Sequence, residues 1–218
     1  VKGKIFNAQE VQALISGNKT QFREIAKINF KSGINQNFTG LKVFKFGDEF
    51  RISGSTDEVC KPFKCPYQVG QKIFAKESFW QFGCYDNGID GDEPRFIESN
   101  KITFCPEEAA KPQTLCKGWK KRPAQHMKQE HSRLTLQIKE IRVERLSEIS
   151  VIDARDEGCP LEEALYKKED FDNVQAHQSE THPFIKNFKR FWNATHKKPE
   201  EKFEASPWVW VVNFEVVK

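Results

Sequence analysis

Lys19, Thr20, Phe22 and Arg23 place an amine, a hydroxyl, an aromatic ring and a guanidinium within five positions. Taken alone, Lys19 reads as a cation just past a helix end, where the dipole favours positive charge. Phe22 reads either as core or as a platform on which a base stacks. Two further stretches interleave cations with aromatics, a combination that suits an anionic backbone and its stacked bases. The first is Lys117-Gly-Trp119-Lys120-Lys121-Arg122-Pro123. The second spans 186–198, with five Lys or Arg around Phe188, Phe191 and Trp192. Those aromatics recur at helical spacing, so a core-facing stripe with a solvated basic side is expected there. The first stretch stays open between the two readings. Cys105, Cys116, His126 and His131 carry zinc-binding atoms, but their spacing matches no compact zinc module. Neither a metal nor a cofactor is expected.

The elements that must position these groups are legible in outline. Asn7 can cap a helix running to Ser16, with Val11, Leu14 and Ile15 on one face. Gly17 is the residue type that ends such a helix in a left-handed turn. A strand is expected over Thr20 to Ile28 and a loop over 29–40. Leu41 to Phe46 and Glu49 to Ser53, around Gly47-Asp48, read as a β-hairpin. Gln71 to Trp80 reads as one strand with β-favouring side chains on both faces, as in the wall of a small barrel. Residues 81–95 read as a loop, Phe96 to Phe104 as a returning strand, and 105–125 as irregular. Leu134, Leu136 and Ile138 alternate, as do Ile141 and Val143, with a phase slip near Glu140 that marks a bulge or bend. Ser150-Val-Ile-Asp153 has capping-box spacing and opens a short helix ending at Glu157-Gly158. Helices are expected over Leu161 to Glu169 and Pro183 to Asn193, separated by polar linker, before a closing strand from Trp208 to Val216. Helix, strands, helices, strand predicts an α+β chain.

At 218 residues the chain can bury a core without staples. Hydrophobic residues at 38% against charged residues at 30% fit a globular protein rather than a disordered or membrane one. No apolar run approaches a bilayer span and the first residues lack a signal-peptide core, so a cytoplasmic protein without a membrane partner is expected. Six scattered cysteines with no Cys-x-x-Cys pair read as reduced thiols. No Gly-rich phosphate loop, Gly-x-Ser-x-Gly elbow or His-Glu-x-x-His occurs, which disfavours nucleotide-dependent, serine-hydrolase and zincin chemistry.

Gly17-Asn18-Lys19-Thr20-x-x-Arg23 resembles the opening motif of ASCH domains, PUA-like β-barrels associated with RNA and modified nucleosides. Their pattern runs Gly-x-Lys-Thr-x-Thr-x-Arg or, in a closely related phage form, Gly-x-Lys-Thr-x-Thr-Arg. Cys65-Pro66-Tyr67, followed by Gly70-Gln-Lys-Ile-Phe-Ala-Lys-Glu77-Ser-Phe79, is similar to a larger subgroup encoded in phages and prophages. Trp119, Arg122-Pro123, His126-Met127 and Ser132-Arg133 resemble a third segment of that subgroup, and Pro207 to Glu215 its closing strand. The resemblance spans nearly the whole chain. It implies a single domain over 1–218, a PUA-like, mostly antiparallel β-barrel with flanking helices and insertions near 29–40, 81–125 and 159–206.

The resemblance also implies a chemistry, hydrolysis of the amide in acetylated cytidine nucleosides by a lysine, a threonine and a glutamate. Lys19 stands at the lysine position and Glu157, in Ala154-Arg-Asp-Glu157, at the glutamate position. Phe22 replaces the second threonine of the pattern, which leaves Thr20 as the hydroxyl. Amide hydrolysis needs a nucleophile, a base to activate it, and a group for the leaving amine. Two readings follow. In the first the chain binds RNA, single-stranded nucleic acid or a free modified nucleoside. Lys19, Phe22, Arg23 and Glu157 then line a pocket that reads a base, Glu77 also binds the substrate, and Lys117, Trp119, Lys120, Lys121, Arg122 and Arg133 touch the polymer. In the second it is an amidohydrolase with Lys19, Thr20 and Glu157 as catalytic groups. A phage structural or host-interaction role, in the cytoplasm of a bacterial host, is a third reading carried only by the subgroup's genomic setting.

Overall fold

A computed structural model describes residues 1–32, 40–54, 59–86, 95–111, 117–159 and 182–217. In chain order its main elements are β1 (Lys2–Ile5), α1 (Ala8–Ile15), β2 (Gln21–Ile25), β3 (Lys42–Phe46), β4 (Glu49–Ser53), β5 (Phe63–Lys64) and β6 (Lys72–Lys76). There follow β7 (Phe79–Asp86), β8 (Arg95–Thr103), α2 (Pro106–Ala109), β9 (Lys117–Arg122), β10 (Thr135–Arg145), α3 (Val151–Asp156), α4 (Pro183–Thr195) and β11 (Trp208–Val216). The chain is α+β with mostly antiparallel strand pairing, and among the described residues no sheet closes into a barrel. The helix expected over Leu161 to Glu169 and nearly all of the linker after it lie outside the described residues, as does most of the 29–40 loop. Among the described residues no helix is long and apolar enough to cross a membrane. Contacts divide the chain into two compact units, Val1–Val11 with Lys72–Leu136, and Gln12–Gln71 with Gln137–Val217.

In the first unit β1 pairs with β6 in parallel, from Lys2 opposite Ile73 to Ile5 opposite Lys76. Asn7 and Glu10 exchange two 2.9 Å side-chain-to-backbone hydrogen bonds, a capping box that starts α1. The run 71–80, expected as one strand, breaks at Glu77-Ser78. Up to Lys76 the backbone is engaged by β1, and from Phe79 it pairs instead with β9, so the chain changes sheets at the break. β7 then continues to Asp86, well into the expected loop, as the middle strand of the order β8-β7-β9. β9 falls in the stretch expected to be irregular. Its sequence has no apolar alternation; pairing along β7 from Phe79–Arg122 to Cys84–Lys117, and packing of Trp119 on Phe82, make it a strand. The β7–β8 register shifts between Gln81 and Gly83. A Cβ at Gly83 would overlap the Phe96 ring and the Ile97 carbonyl oxygen, so only glycine fits there.

In the second unit β10, β11 and β2 lie side by side in that order. β2 and β11 run antiparallel, from Ile25 opposite Val209 to Gln21 opposite Asn213. The two-residue period of a strand sends Gln21, Arg23 and Ile25 to the side of Val209 and Val211. Phe22 and Glu24 go to the side of Trp210 and Val212. On the first side Val209 and Val211 join Ala154 of α3 and Phe184, Ile185, Phe188 and Trp192 of α4 in one buried cluster. On the other, Trp210 meets Phe50 and Phe63 with ring centroids 5.0 and 5.4 Å away. β11 is therefore covered on both faces, and Trp208 to Val212 form a continuous buried run. Ile15 is a correction on α1. Val11 and Leu14 are buried, but Ala13 rather than Ile15 completes the face, and Ile15 is 49% exposed. Along β10 the buried positions pass from Leu136 and Ile138 to Ile141 and Val143, with Lys139 and Glu140 exposed at the expected phase slip. Beyond the slip, strand alternation puts Arg142 and Glu144 on one side of β10, opposite buried Ile141 and Val143.

Candidate functional site

α1 ends in a Schellman turn. Gly17, at φ 75°, donates its N–H to Leu14 at 3.2 Å, and Asn18 donates to Ala13 at 2.9 Å. The chain then runs along the end of α3, where Lys19 and Glu157 form an isolated antiparallel bridge and the Thr20 N–H donates to the Asp156 carbonyl at 2.9 Å. α3 itself is started by Ser150, whose Oγ accepts from the Asp153 N–H at 3.0 Å, and is ended by Gly158 at φ 69°. A Cβ at Gly158 would stand 2.7 Å from the Lys19 Cβ and 2.8 Å from the Ala13 Cβ. Glycine here both permits the turn and lets Lys19 lie against the helix end.

Lys19 Nζ donates to the Glu157 carbonyl oxygen at 2.8 Å and to Glu157 Oε2 at 3.2 Å. The C-terminal turn of a helix favours a cation and opposes a carboxylate. Lys19 reconciles the two by meeting the helix carbonyl and the Glu157 side chain together. Glu157 Oε1 accepts from Arg23 Nη1 at 2.7 Å. Arg23 Nη2 donates to Glu144 Oε1 at 2.5 Å and lies 3.5 Å from Asp153 Oδ2. Arg142 closes the set, donating to Asp153 Oδ1 at 2.5 Å, Glu144 Oε2 at 3.2 Å and Asn213 Oδ1 at 3.3 Å. Three cations thus face three carboxylates.

Exposure is graded across this cluster. The Lys19, Arg23 and Glu157 side chains are 2%, 0% and 6% exposed, while those of Glu144, Asp153 and Arg142 are 16%, 20% and 30% exposed. Burial works to raise the Asp153 carboxyl, but Arg23, Ser150 and Arg142 outweigh it and hold the carboxyl below its ordinary range. Burial likewise works against the Arg142 charge, and Asp153 and Glu144 more than offset it. The cluster can hold charge out of bulk water, and at its half-exposed edge it presents both hydrogen-bond donors and acceptors.

Of the residues expected at the site, Lys19, Arg23 and Glu157 converge. Thr20 does not join them. It is exposed, on the opposite side of an extended backbone from the buried Lys19. Phe22 is core, with its ring 5.3 Å from Tyr67 and 5.9 Å from Phe214, so it offers no free face to a base. Glu77 belongs to the other unit, where its carboxylate takes two 2.8 Å bonds from Arg133, whose guanidinium lies 4.5 Å from the Phe104 ring centroid. The basic stretch on β9 is divided by strand alternation. Lys117, Trp119 and Lys121 share one face, and Lys120 and Arg122 the other, where Arg122 pairs with Glu98 and Gln81.

Gln21, Arg142, Glu144 and Asp153 were not anticipated. Gln21 Nε2 donates to the Asp153 carbonyl at 2.7 Å. The available signal was parity. Positions 19, 21 and 23 share a strand face, and Arg142 and Glu144 alternate with buried Ile141 and Val143. Among the described residues no three His, Cys, Asp or Glu side chains group as metal ligands, and Cys116 lies outside them. Among the described residues Cys60, Cys65, Cys84, Cys105 and Cys159 form no disulfide. No protein-family model, curated protein or solved structure matches this chain.

Proposed function

We propose that this chain is an ASCH-type, PUA-like protein that binds a nucleobase at the Lys19–Glu157–Arg23 cluster, in RNA, in single-stranded nucleic acid or as a free modified nucleoside. The observation that carries the reading is the meeting of Lys19 and Glu157. They lie 138 positions apart, yet their side chains approach to 3.2 Å while both are buried. These are the positions at which the resemblance expects functional groups. Two further motifs behind the resemblance also meet, through the Glu77–Arg133 pair.

In this reading Lys19, Arg23 and Glu157 are the fixed floor, and Arg142, Glu144 and Asp153 are the edge that a base reaches. The carboxylates accept from an exocyclic amine or ring N–H, and Arg142 donates to a ring nitrogen or carbonyl. Those are the bonds by which an unstacked base is recognised along its edges. Amide hydrolysis by the same groups is the second reading. The Lys19–Glu157 approach favours it, and the positions of Thr20 and Phe22 weigh against it, since neither sets a hydroxyl beside Lys19.

Titration calorimetry with cytidine, acetylated cytidine, uridine and adenosine tests the binding reading. Saturable binding of at least one is expected, weakened roughly tenfold or more by Arg142→Ala through loss of charge-assisted hydrogen bonds. Binding of none, or binding that Arg142→Ala leaves unchanged, overturns it. Turnover of acetylated cytidine that Lys19→Ala abolishes would decide for hydrolysis.

A further inference from the structure

A second surface lies in the first unit, away from the sequence positions of that cluster. Trp80 and Phe82 alternate on β7 and so share one face, their Cα atoms about 6.4–6.8 Å apart by the rise of a strand. Across the ladder Trp119 stands opposite Phe82, and Lys121 opposite Trp80. The Phe82 and Trp119 rings meet edge to face, 5.2 Å apart at 67°. All three rings are half-buried, so each keeps part of its surface open. Lys101 Nζ lies 5.5 Å from the Phe82 centroid and 5.3 Å from the Trp119 centroid, and Lys121 Nζ lies 5.8 Å from that of Trp80. Lys117 is exposed on the same face; among the described residues two acids stand toward its ends, Asp86 on β7 opposite Arg95, and Glu108, which accepts a 2.6 Å hydrogen bond from Thr103 opposite Trp80.

We propose that this face of the β8-β7-β9 sheet is a stacking platform for single-stranded nucleic acid. The aromatic surface alone would suit any apolar partner. The lysines over and beside the rings select a polyanion, because a base lying on a ring leaves its phosphate beside an ammonium already held there. A duplex is excluded as the partner, since its bases are already stacked on one another. The platform is narrower than the basic stretch 117–122, because alternation puts Lys120 and Arg122 on the reverse face, over the Phe96 ring. This inference does not rest on the base-reading cluster.

Fluorescence anisotropy of the full chain with labelled oligouridine and oligothymidine of about 12 nucleotides, and with a duplex of that length, tests the platform. At least one single strand binds, with quenching of tryptophan emission. Trp119→Ala weakens that binding by about 5- to 150-fold. The double change Lys101→Ala with Lys121→Ala lowers the slope of log K against log salt by about 1.4, and Lys120→Ala leaves the slope unchanged. Because the lysine variants lie on the surface, they keep the test decisive even where Trp119→Ala fails to fold. Comparing oligouridine with oligodeoxyuridine, which differ only in the 2′-hydroxyl, assigns the partner as RNA or DNA. The proposal is overturned by no binding near 0.1 mM at low salt, by equal affinity for duplex, by a folded Trp119→Ala that binds as wild type, or by Lys120→Ala acting like Lys121→Ala. Oligonucleotide binding that persists while Arg142→Ala abolishes nucleoside binding supports the platform separately from the cluster.

Discussion

Gly158→Ala is the sharpest probe of how Lys19 is held in place. Two penalties add at this position. The φ of 69° costs an L-residue about 1–2 kcal/mol. The new Cβ would also stand 2.7 Å from the Lys19 Cβ and 2.8 Å from the Ala13 Cβ. Both neighbours are bonded directly to backbone and cannot swing aside, so overpacking adds about 1–3 kcal/mol. The expected destabilisation is about 2–5 kcal/mol. Gly17→Ala is the internal control, because its φ is 75° but nothing lies within 4 Å of the added Cβ. Only the conformational penalty of about 1–2 kcal/mol applies there. Urea unfolding of both variants, at equal m-values, measures the difference directly. A gap of about 1–3 kcal/mol supports the close approach of Lys19 to the end of α3. Equal destabilisation, within about 0.5 kcal/mol, would refute it.

Other perturbations read the cluster and the opposite face of β2. Lys19→Met leaves Glu157 buried with Arg23 as its remaining charged partner, and should cost about 3–5 kcal/mol in chemical denaturation. In a cycle with Glu157→Gln the two changes should couple by about 0.5–3 kcal/mol, whereas additive effects would separate the residues. Asp153 titrates below its ordinary range in the fold, so its stabilisation is present above the usual carboxylate range and is lost as pH falls through the depressed value. Asp153→Asn should flatten the acid limb of stability against pH, and an unchanged limb contradicts the assignment. Tyr67 is shifted the other way, first by burial and then by Glu24, whose carboxylate accepts its hydroxyl at 2.9 Å. Its contribution holds below the ordinary phenol range and is lost as pH rises above it, so Tyr67→Phe should remove that alkaline dependence.

The elements that fold by local rules were legible in the sequence. The capped α1 with its glycine stop, the hairpin about Gly47, the Ser150 cap, the apolar stripe of α4 and the closing strand all carry their signal in short-range spacing. β9 was not legible, because Lys-Gly-Trp-Lys-Lys-Arg becomes a strand through its partner rather than its pattern. The break at Glu77-Ser78 was hidden for a related reason, since β-favouring residues continue across a change of sheet. At the site, the resemblance named Lys19, Glu157 and Thr20, with Phe22 at the place of the second threonine; Lys19 and Glu157 converge, while Thr20 and Phe22 stand apart from Lys19. Strand alternation separates them, and the same alternation recruits Gln21, with Arg142 and Glu144 from β10. Charges that converge from β2, β10, α3 and the turns after α1 and α3 have no short-range signature.

The most direct measurement is a nitrogen–proton NMR titration of the chain with the nucleoside that calorimetry finds to bind. Shifts concentrated at residues 19–23, 142–144 and 153–157, including the Arg142 side chain, are the predicted result. Saturating nucleoside that leaves those signals in place, or moves only signals elsewhere, would contradict base recognition by this cluster.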